Sequence, residues 1–161
     1  MNDLTHFDES GRSRMVDVSE KNPTLREAVA TGTVSMLPET FERIMNGRIQ
    51  KGDVLAVAQV AGIMAAKKTG TIIPMCHPLN LTSVSMQFIP HPGHHQIEVQ
   101  VTAKIIDRTG VEMEALMAVS AACLTVYDMC KSIDRFMSIS DIRLLKKSGG
   151  KSGTYTYTSE R

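Results

Sequence analysis

Tryptophan is absent from the 161-residue chain, whose aromatic residues are four phenylalanines and three tyrosines. So few rings exclude aromatic platforms on which single-stranded nucleic acid stacks, and interfacial belts of the kind that anchor membrane proteins. An excess of one charge is lacking too: 18 lysines and arginines face 17 aspartates and glutamates, leaving a formal +1. That balance excludes a basic arm that grips nucleic acid non-specifically. Near-apolar runs stop at about 13 residues, short of the ~18–20 that span a bilayer, and the opening MNDLTHFDESGRSR has no apolar segment of a secretory signal. Cysteine is scarce and odd in number (Cys76, Cys123 and Cys130), with no CxxC, so a disulfide framework is excluded and a reducing compartment fits. Together these absences predict a soluble cytoplasmic protein with neither a membrane nor a nucleic-acid partner.

The 11 methionines fill where rings do not, since a flexible thioether adapts to irregular gaps in cores and subunit contacts. The length suits one domain. Residues 1–23 are polar and weakly periodic and are expected to be largely flexible, with Met15-Val16-Asp17-Val18 as a possible edge strand; residues 24–161 form the domain. The near-zero charge hides an asymmetry. Residues 1–42 carry four basic and eight acidic side chains, whereas residues 143–161 carry five and one.

Along the domain, Thr24 with Glu27 three residues later resembles a capping box and predicts a helical turn over 24–30, followed by a strand over 31–37. Pro38 opens a short helix that Asn46-Gly47 stops. Asp53 caps a second helix to about Lys68, apolar enough to be buried nearly all round, with Lys67 and Lys68 suiting its C-terminal dipole. Alternating apolar residues over 81–89 and 96–107, around His91-Pro92-Gly93-His94, predict an antiparallel hairpin. A long helix over 111–134, a strand over 137–145, a mobile glycine-lysine loop over 146–153 and a short β-type tail complete the chain. The order is that of a ferredoxin-like α+β fold, an antiparallel sheet with helices packed on one face.

Several features could carry chemistry. Glu112 and Glu114 open the long helix, where carboxylates favour the dipole and need no further role. Asp128 near the other end opposes the dipole, and Lys131 at i+3 can offset it; such a pair is either a surface ion pair or a tuned acid–base pair. Glu114 and Asp128 are 14 residues apart, roughly 21 Å along a helix, too far for one small-molecule pocket in one subunit, so two subunits bringing opposite helix ends together is the favoured arrangement. Cys76-His77, between Pro74 and Pro78, is a rigid loop without metal-ligand spacing, and no metal is expected there. His91, His94 and His95 read as solvated turn residues. The segment Lys146-Lys147-Ser148-Gly149-Gly150-Lys151-Ser152-Gly153 is no Walker loop, because Leu145 stands where glycine is needed; it offers cations and backbone N–H groups to a polyphosphate, or is a solvated tail.

Six segments in order, Met15-Val16-Asp17-Val18-Ser19, Lys51-Gly52-Asp53-Val54, Ile73-Pro74-Met75-Cys76-His77-Pro78-Leu79, Gly110-Val111-Glu112-Met113-Glu114-Ala115-Leu116, Tyr127-Asp128-Met129-Cys130-Lys131 and Lys147-Ser148-Gly149-Gly150-Lys151-Ser152-Gly153, closely resemble the cyclic pyranopterin monophosphate synthase family, MoaC, of molybdenum cofactor biosynthesis. The resemblance implies a ferredoxin-like subunit in a hexamer, a trimer of dimers, with active sites at a dimer interface. It implies a lyase converting cyclised dihydro-GTP (3′,8-cyclo-7,8-dihydro-GTP) to cyclic pyranopterin monophosphate and pyrophosphate by acid–base rearrangement, without a redox cofactor. It marks Lys131 as acid/base with Asp128 as its partner. Lys51, His77, Glu112 and Glu114 would serve proton transfers or hold the ring and ribose. Met75, Cys76, His77, Met113 and Glu114 would line the substrate site, and Lys21, Arg26, Lys147 and Lys151 would meet the triphosphate. The competing expectations are a nucleotide-triphosphate-binding or assembly module without turnover and, more remotely, a metal-dependent hydrolase.

Overall fold

Residues 24–35, expected to divide between a helical turn and a strand, form one strand, β1 (Thr24–Ser35), in the computed structural model, which describes residues 10–158. The capping-box pattern misleads because Arg26, Ala28 and Ala30 alternate inward, as a central strand requires. Helices α1 (Pro38–Met45) and α2 (Val54–Ile72) follow, then strands β2 (Ser83–His91) and β3 (Gln96–Asp107), helix α3 (Glu112–Cys130), and strands β4 (Ser138–Ser148) and β5 (Tyr155–Thr156). The sheet runs β2-β3-β1-β4-β5 with every neighbouring pair antiparallel. Its first four strands have the ferredoxin-like order; α3 packs over β1, β3 and β4, and α2 lies against α3 and the edge strand β2.

The core is built of small and β-branched residues: Ala28, Ala30 and Val34 of β1, Val99, Val101 and Ala103 of β3, and Ala115, Ala118, Val119 and Ala122 of α3. Glycine makes the closest approach possible. A Cβ on Gly62 of α2 would lie 2.9 Å from the Ala118 carbonyl oxygen, so α2 and α3 meet backbone to backbone there.

Helix α2 departs from the expectation of all-round burial. It buries one stripe, Val54, Ala58, Gly62, Ala66 and Thr69, and leaves Val57, Val60, Met64 and Ile72 exposed. It also runs on to Ile72, so Lys67 and Lys68 fall short of its last turn, while Asp53 caps it as expected, accepting from the Leu55 and Ala56 N–H groups at 3.1 and 3.0 Å. Helix α3 is long and apolar enough to cross a membrane by length and composition, although no run of the expected length was apparent; here its inward face is spent on the sheet and α2. It ends at Cys130 rather than near Asp134, and a turn follows in which the N–H groups of Ile133 and Asp134 share the Cys130 carbonyl. The Asp134 carboxylate is buried, accepting from the backbone N–H groups of Leu37 at 2.8 Å and Phe136 at 2.9 Å, and so ties the end of α3 to the start of α1.

Two further expectations are corrected. Residues 15–18 join no sheet: Asp17 accepts from both the N–H and the hydroxyl of Ser19, and Lys21 N–H bonds to the Val18 carbonyl, so turn chemistry bends the segment. Residues 146–148 are not loop but the end of β4, paired with β5, which makes the glycine-lysine segment the turn of a hairpin.

Candidate active site

The first turn of α3 has no side-chain cap at Val111, and Gly110 before it leaves room for the Glu112 carboxylate to fold back. The proline-bracketed loop after α2 passes over this helix start. Between them lies a cavity of about 460 Å³ lined by Met75, Cys76, His77, Glu112, Met113 and Glu114, with Val16, Val18 and Lys21 from the N-terminal segment as a further wall. Two more cavities share its residues: one of about 140 Å³ reaches Arg26, Arg108, Lys147 and Ser148 through Lys21 and Glu112, and one of about 630 Å³ continues past Lys21 and Arg26 to Lys151. The result is a ring-sized pocket opening into a trough lined with cations.

Arg26 anchors that trough. It is 9% exposed, and its Nε and Nη2 donate to the Asp107 and Arg108 carbonyls at 3.3 and 3.2 Å, just before α3. Gly149 and Gly150 stand at φ +95° and +76° against its side chain, and a Cβ on Gly150 would collide with the guanidinium. The lysine-glycine turn is thereby seated on Arg26, with its left-handed backbone available only to glycine at low cost.

Glu114 is the unusual acid. It is 3% exposed, and burial, with Glu112 nearby adding to it, pushes its carboxyl up to about 7. Such a group holds or releases a proton near neutral pH. Cys76 in the same pocket has its thiol raised by burial and then by Glu114, which makes it a wall rather than a nucleophile. Cys123 and Cys130 are buried free thiols pushed up to about 12 and 11 by the same cause.

The Glu114 shift has a consequence for stability. Its folded pKa lies above its ordinary 4.5, so the folded chain binds the extra proton, and stability is fully present below that value and falls as pH rises through about 7. Glu114→Gln, neutral throughout, should therefore exceed the parent in unfolding free energy from urea titration above pH 7, by up to about 3 kcal/mol, with the difference shrinking toward pH 4.5. An offset independent of pH would contradict this origin.

At the far end of α3 a second group assembles. Lys131 Nζ lies 2.6 Å from Asp128 Oδ1, and Lys51 Nζ lies 3.8 Å from Oδ2 while donating to the Asp128 carbonyl at 2.9 Å. Hydrogen bonding to Lys131 holds Asp128 below the usual carboxylate range, and Asp128 in turn raises Lys131, which rests as an ammonium. The group is exposed. Lys51 thus belongs with Asp128 and Lys131 rather than with His77, Glu112 and Glu114, and the two groups stand roughly 21 Å apart along α3.

Val16 and Val18, and Arg108 and Thr109, line these cavities although sequence reasoning passed over them. The alternation in residues 15–18 was the available signal, read as a strand rather than a wall. Among the described residues no group of three His, Cys, Asp or Glu side chains could hold a metal, and His91 is paired with Glu98 at 3.2 Å.

Comparison with known proteins identifies the family. The sequence pattern described as the MoaC family matches residues 15–150. A cyclic pyranopterin monophosphate synthase of Desulfitobacterium hafniense is 62% identical, covering 95% of this chain and 93% of its own. Proteins of the same name from Heliobacterium modesticaldum and Desulforapulum autotrophicum are 59% and 57% identical over 96% of this chain, covering 98% and 95% of their own lengths. Family pattern and relatives span both clusters on α3, the Cys76-His77 loop and most of the lysine-glycine turn, and the chain belongs to the MoaC family.

Proposed function

We infer that this chain is a cyclic pyranopterin monophosphate synthase, a lyase of molybdenum cofactor biosynthesis that converts cyclised dihydro-GTP to cyclic pyranopterin monophosphate and pyrophosphate. The observation that carries the reading is the ring-sized pocket with the buried, protonatable Glu114, opening onto the cations Lys21, Arg26, Lys147 and Lys151. A ring system fits the first and a triphosphate the second. The reaction breaks the C–N bond at the ribose, closes the pterin ring, and lets an internal oxygen attack the α-phosphorus with expulsion of pyrophosphate. Atoms balance without an added reagent, and substrate and products share one oxidation level, so the chemistry calls for proton transfers rather than a redox cofactor.

In this reading Lys131 donates a proton and Asp128 with Lys51 fixes its position; Glu112, Glu114 and His77 exchange protons with the ring system, and Met75, Cys76 and Met113 form its walls. Residues 24–161 are one catalytic domain to which the N-terminal segment lends Val16, Val18 and Lys21. The two ends of α3 come together through a second subunit, in a hexamer built as a trimer of dimers. The exposed apolar residues Val57, Val60, Met64 and Leu124 on the helices, and Phe136 at 88% exposure just beyond Lys131, support an assembly. The protein is soluble and cytoplasmic in this reading, with no nucleic-acid or membrane partner.

Incubation of the purified protein with the cyclised substrate tests the function. Pyrophosphate and the cyclic monophosphate should form in equal amounts. Binding of the triphosphate without product would instead establish a non-enzymatic nucleotide-binding module.

A further inference from the structure

The hairpin that carries Lys147 and Lys151 is thinly held. β5 pairs only Tyr155 and Thr156 with Lys147 and Lys146, and Tyr157 adds one N–H bond to the Leu145 carbonyl at 2.7 Å. A returning strand of two residues, with Tyr155 exposed, has little sheet or core to keep it in register. Side chains supplement it: Lys147 Nζ donates to the Ser152 hydroxyl across the turn, and the Arg143 guanidinium lies over the Tyr157 ring, 4.9 Å from its centroid.

Arg143 is itself aimed by an irregularity in β4. Opposite β1 the register slips between Thr31, facing Arg143, and Thr33, facing Ser140, so that Asp141 and Ile142 oppose Gly32 alone. Asp141 takes the left-handed conformation at φ +56° and accepts from Arg143 Nη1 at 2.7 Å. Such bulges re-aim side chains. Among the described residues Arg143 Nε is buried without a hydrogen-bond partner, and Asp141 and the Tyr157 ring are the groups that hold this guanidinium. A cavity of about 380 Å³ lies beside the contact, bounded by Arg143, Tyr157, Lys147 and Glu112, so a shift of the hairpin there moves Lys147 relative to the start of α3.

We propose that Tyr157, stacked under Arg143, is a positioning residue that locks the β4–β5 hairpin and thereby presents Lys147 and the Gly149-Gly150 turn to the diphosphate end of the substrate. The inference rests on the reading of Lys147 and Lys151 as phosphate-binding. Tyr157 touches no reacting atom in this arrangement, so its loss weakens anion binding and leaves the proton transfers intact.

The test uses inorganic pyrophosphate in calorimetric titrations of the full chain, with steady-state kinetics on the cyclised substrate. Tyr157→Ala should weaken pyrophosphate binding and raise KM by about two- to fivefold, the value of an exposed cation–ring contact, with kcat unchanged. Tyr157→Phe, which keeps the ring, should behave as the parent, and Arg143→Gln should add nothing on top of Tyr157→Ala. Parent-like binding by Tyr157→Ala, or a fall in kcat with KM unchanged, overturns the inference. The double variant Lys147→Ala with Lys151→Ala separates the two claims. If it binds pyrophosphate as the parent does, the phosphate reading of the turn fails and the inference with it; if it alone loses binding, only the positioning role of Tyr157 fails.

Discussion

Lys131→Ala is expected to lower kcat on the cyclised substrate by about 10²–10⁴-fold, the range for removal of a positioned general acid, while melting temperature and assembly stay as in the parent. The separation of the two effects follows from the geometry. Lys131 stands at the end of α3 with its N–H bonded to the Tyr127 carbonyl at 2.8 Å, and alanine keeps that bond. Its side chain is about half exposed and is not part of the buried core. An exposed ion pair of this kind contributes little to folding.

The protonation state decides which catalytic role is tested. Asp128 raises Lys131, so the group is an ammonium at neutral pH, and in the proposed reaction it would enter as a donor. Lys131→Arg keeps the positive charge but cannot release a proton at any accessible pH. It should remain as impaired as Lys131→Ala if donation is the role, and should recover if charge alone suffices. Asp128→Asn removes the partner that raises the lysine, and the alkaline limb of the pH–rate profile should move to lower pH.

How far the sequence reached can be judged from particular residues. Period-two alternation found β3 to the residue, because inward Ile97, Val99, Val101, Ala103 and Ile105 leave no other reading, and Pro38 at the first helical position of α1 and the Asp53 cap of α2 placed the two helix starts by local chemistry. The misreadings share a cause: in each, a tertiary partner or local turn decided what local pattern could not. Thr24 and Glu27 mimic a cap, yet Glu27 is spent on Lys104 at 3.0 Å and Lys146 at 3.4 Å across two neighbouring strands. Val57, Val60 and Met64 look like core, yet the described residues leave them about half exposed. At the site, residue types and motif order singled out both ends of α3 and the loop after α2, while the placement of Lys51 beside Asp128 depends on how the turn before α2 meets the end of α3 and has no signature in spacing.

Mixing two inactive variants should restore activity, and this is the second large effect. Glu114→Ala removes the buried acid at one end of α3, and Asp128→Ala removes the partner of Lys131 at the other; each alone should fall to about 1% of parental turnover or below, by loss of a proton-transfer group. One helix cannot bring these ends together, since 14 residues separate Glu114 from Asp128 and a helix rises 1.5 Å for each, roughly 21 Å in all. In a two-fold dimer whose sites each take the Glu114 end from one subunit and the Asp128 end from its partner, a mixed dimer has one doubly impaired site and one intact site. Random reassociation of equal amounts makes about half of the dimers mixed, so recovery should approach ~25% of the parental rate. If both ends served one site within a single chain, every site in the mixture would carry one lesion and activity would stay at the level of the single variants. Denaturation and refolding together, compared with refolding apart and mixing afterwards, distinguishes subunit exchange from simple addition; recovery confined to the first places the acid of one chain beside the lysine of another.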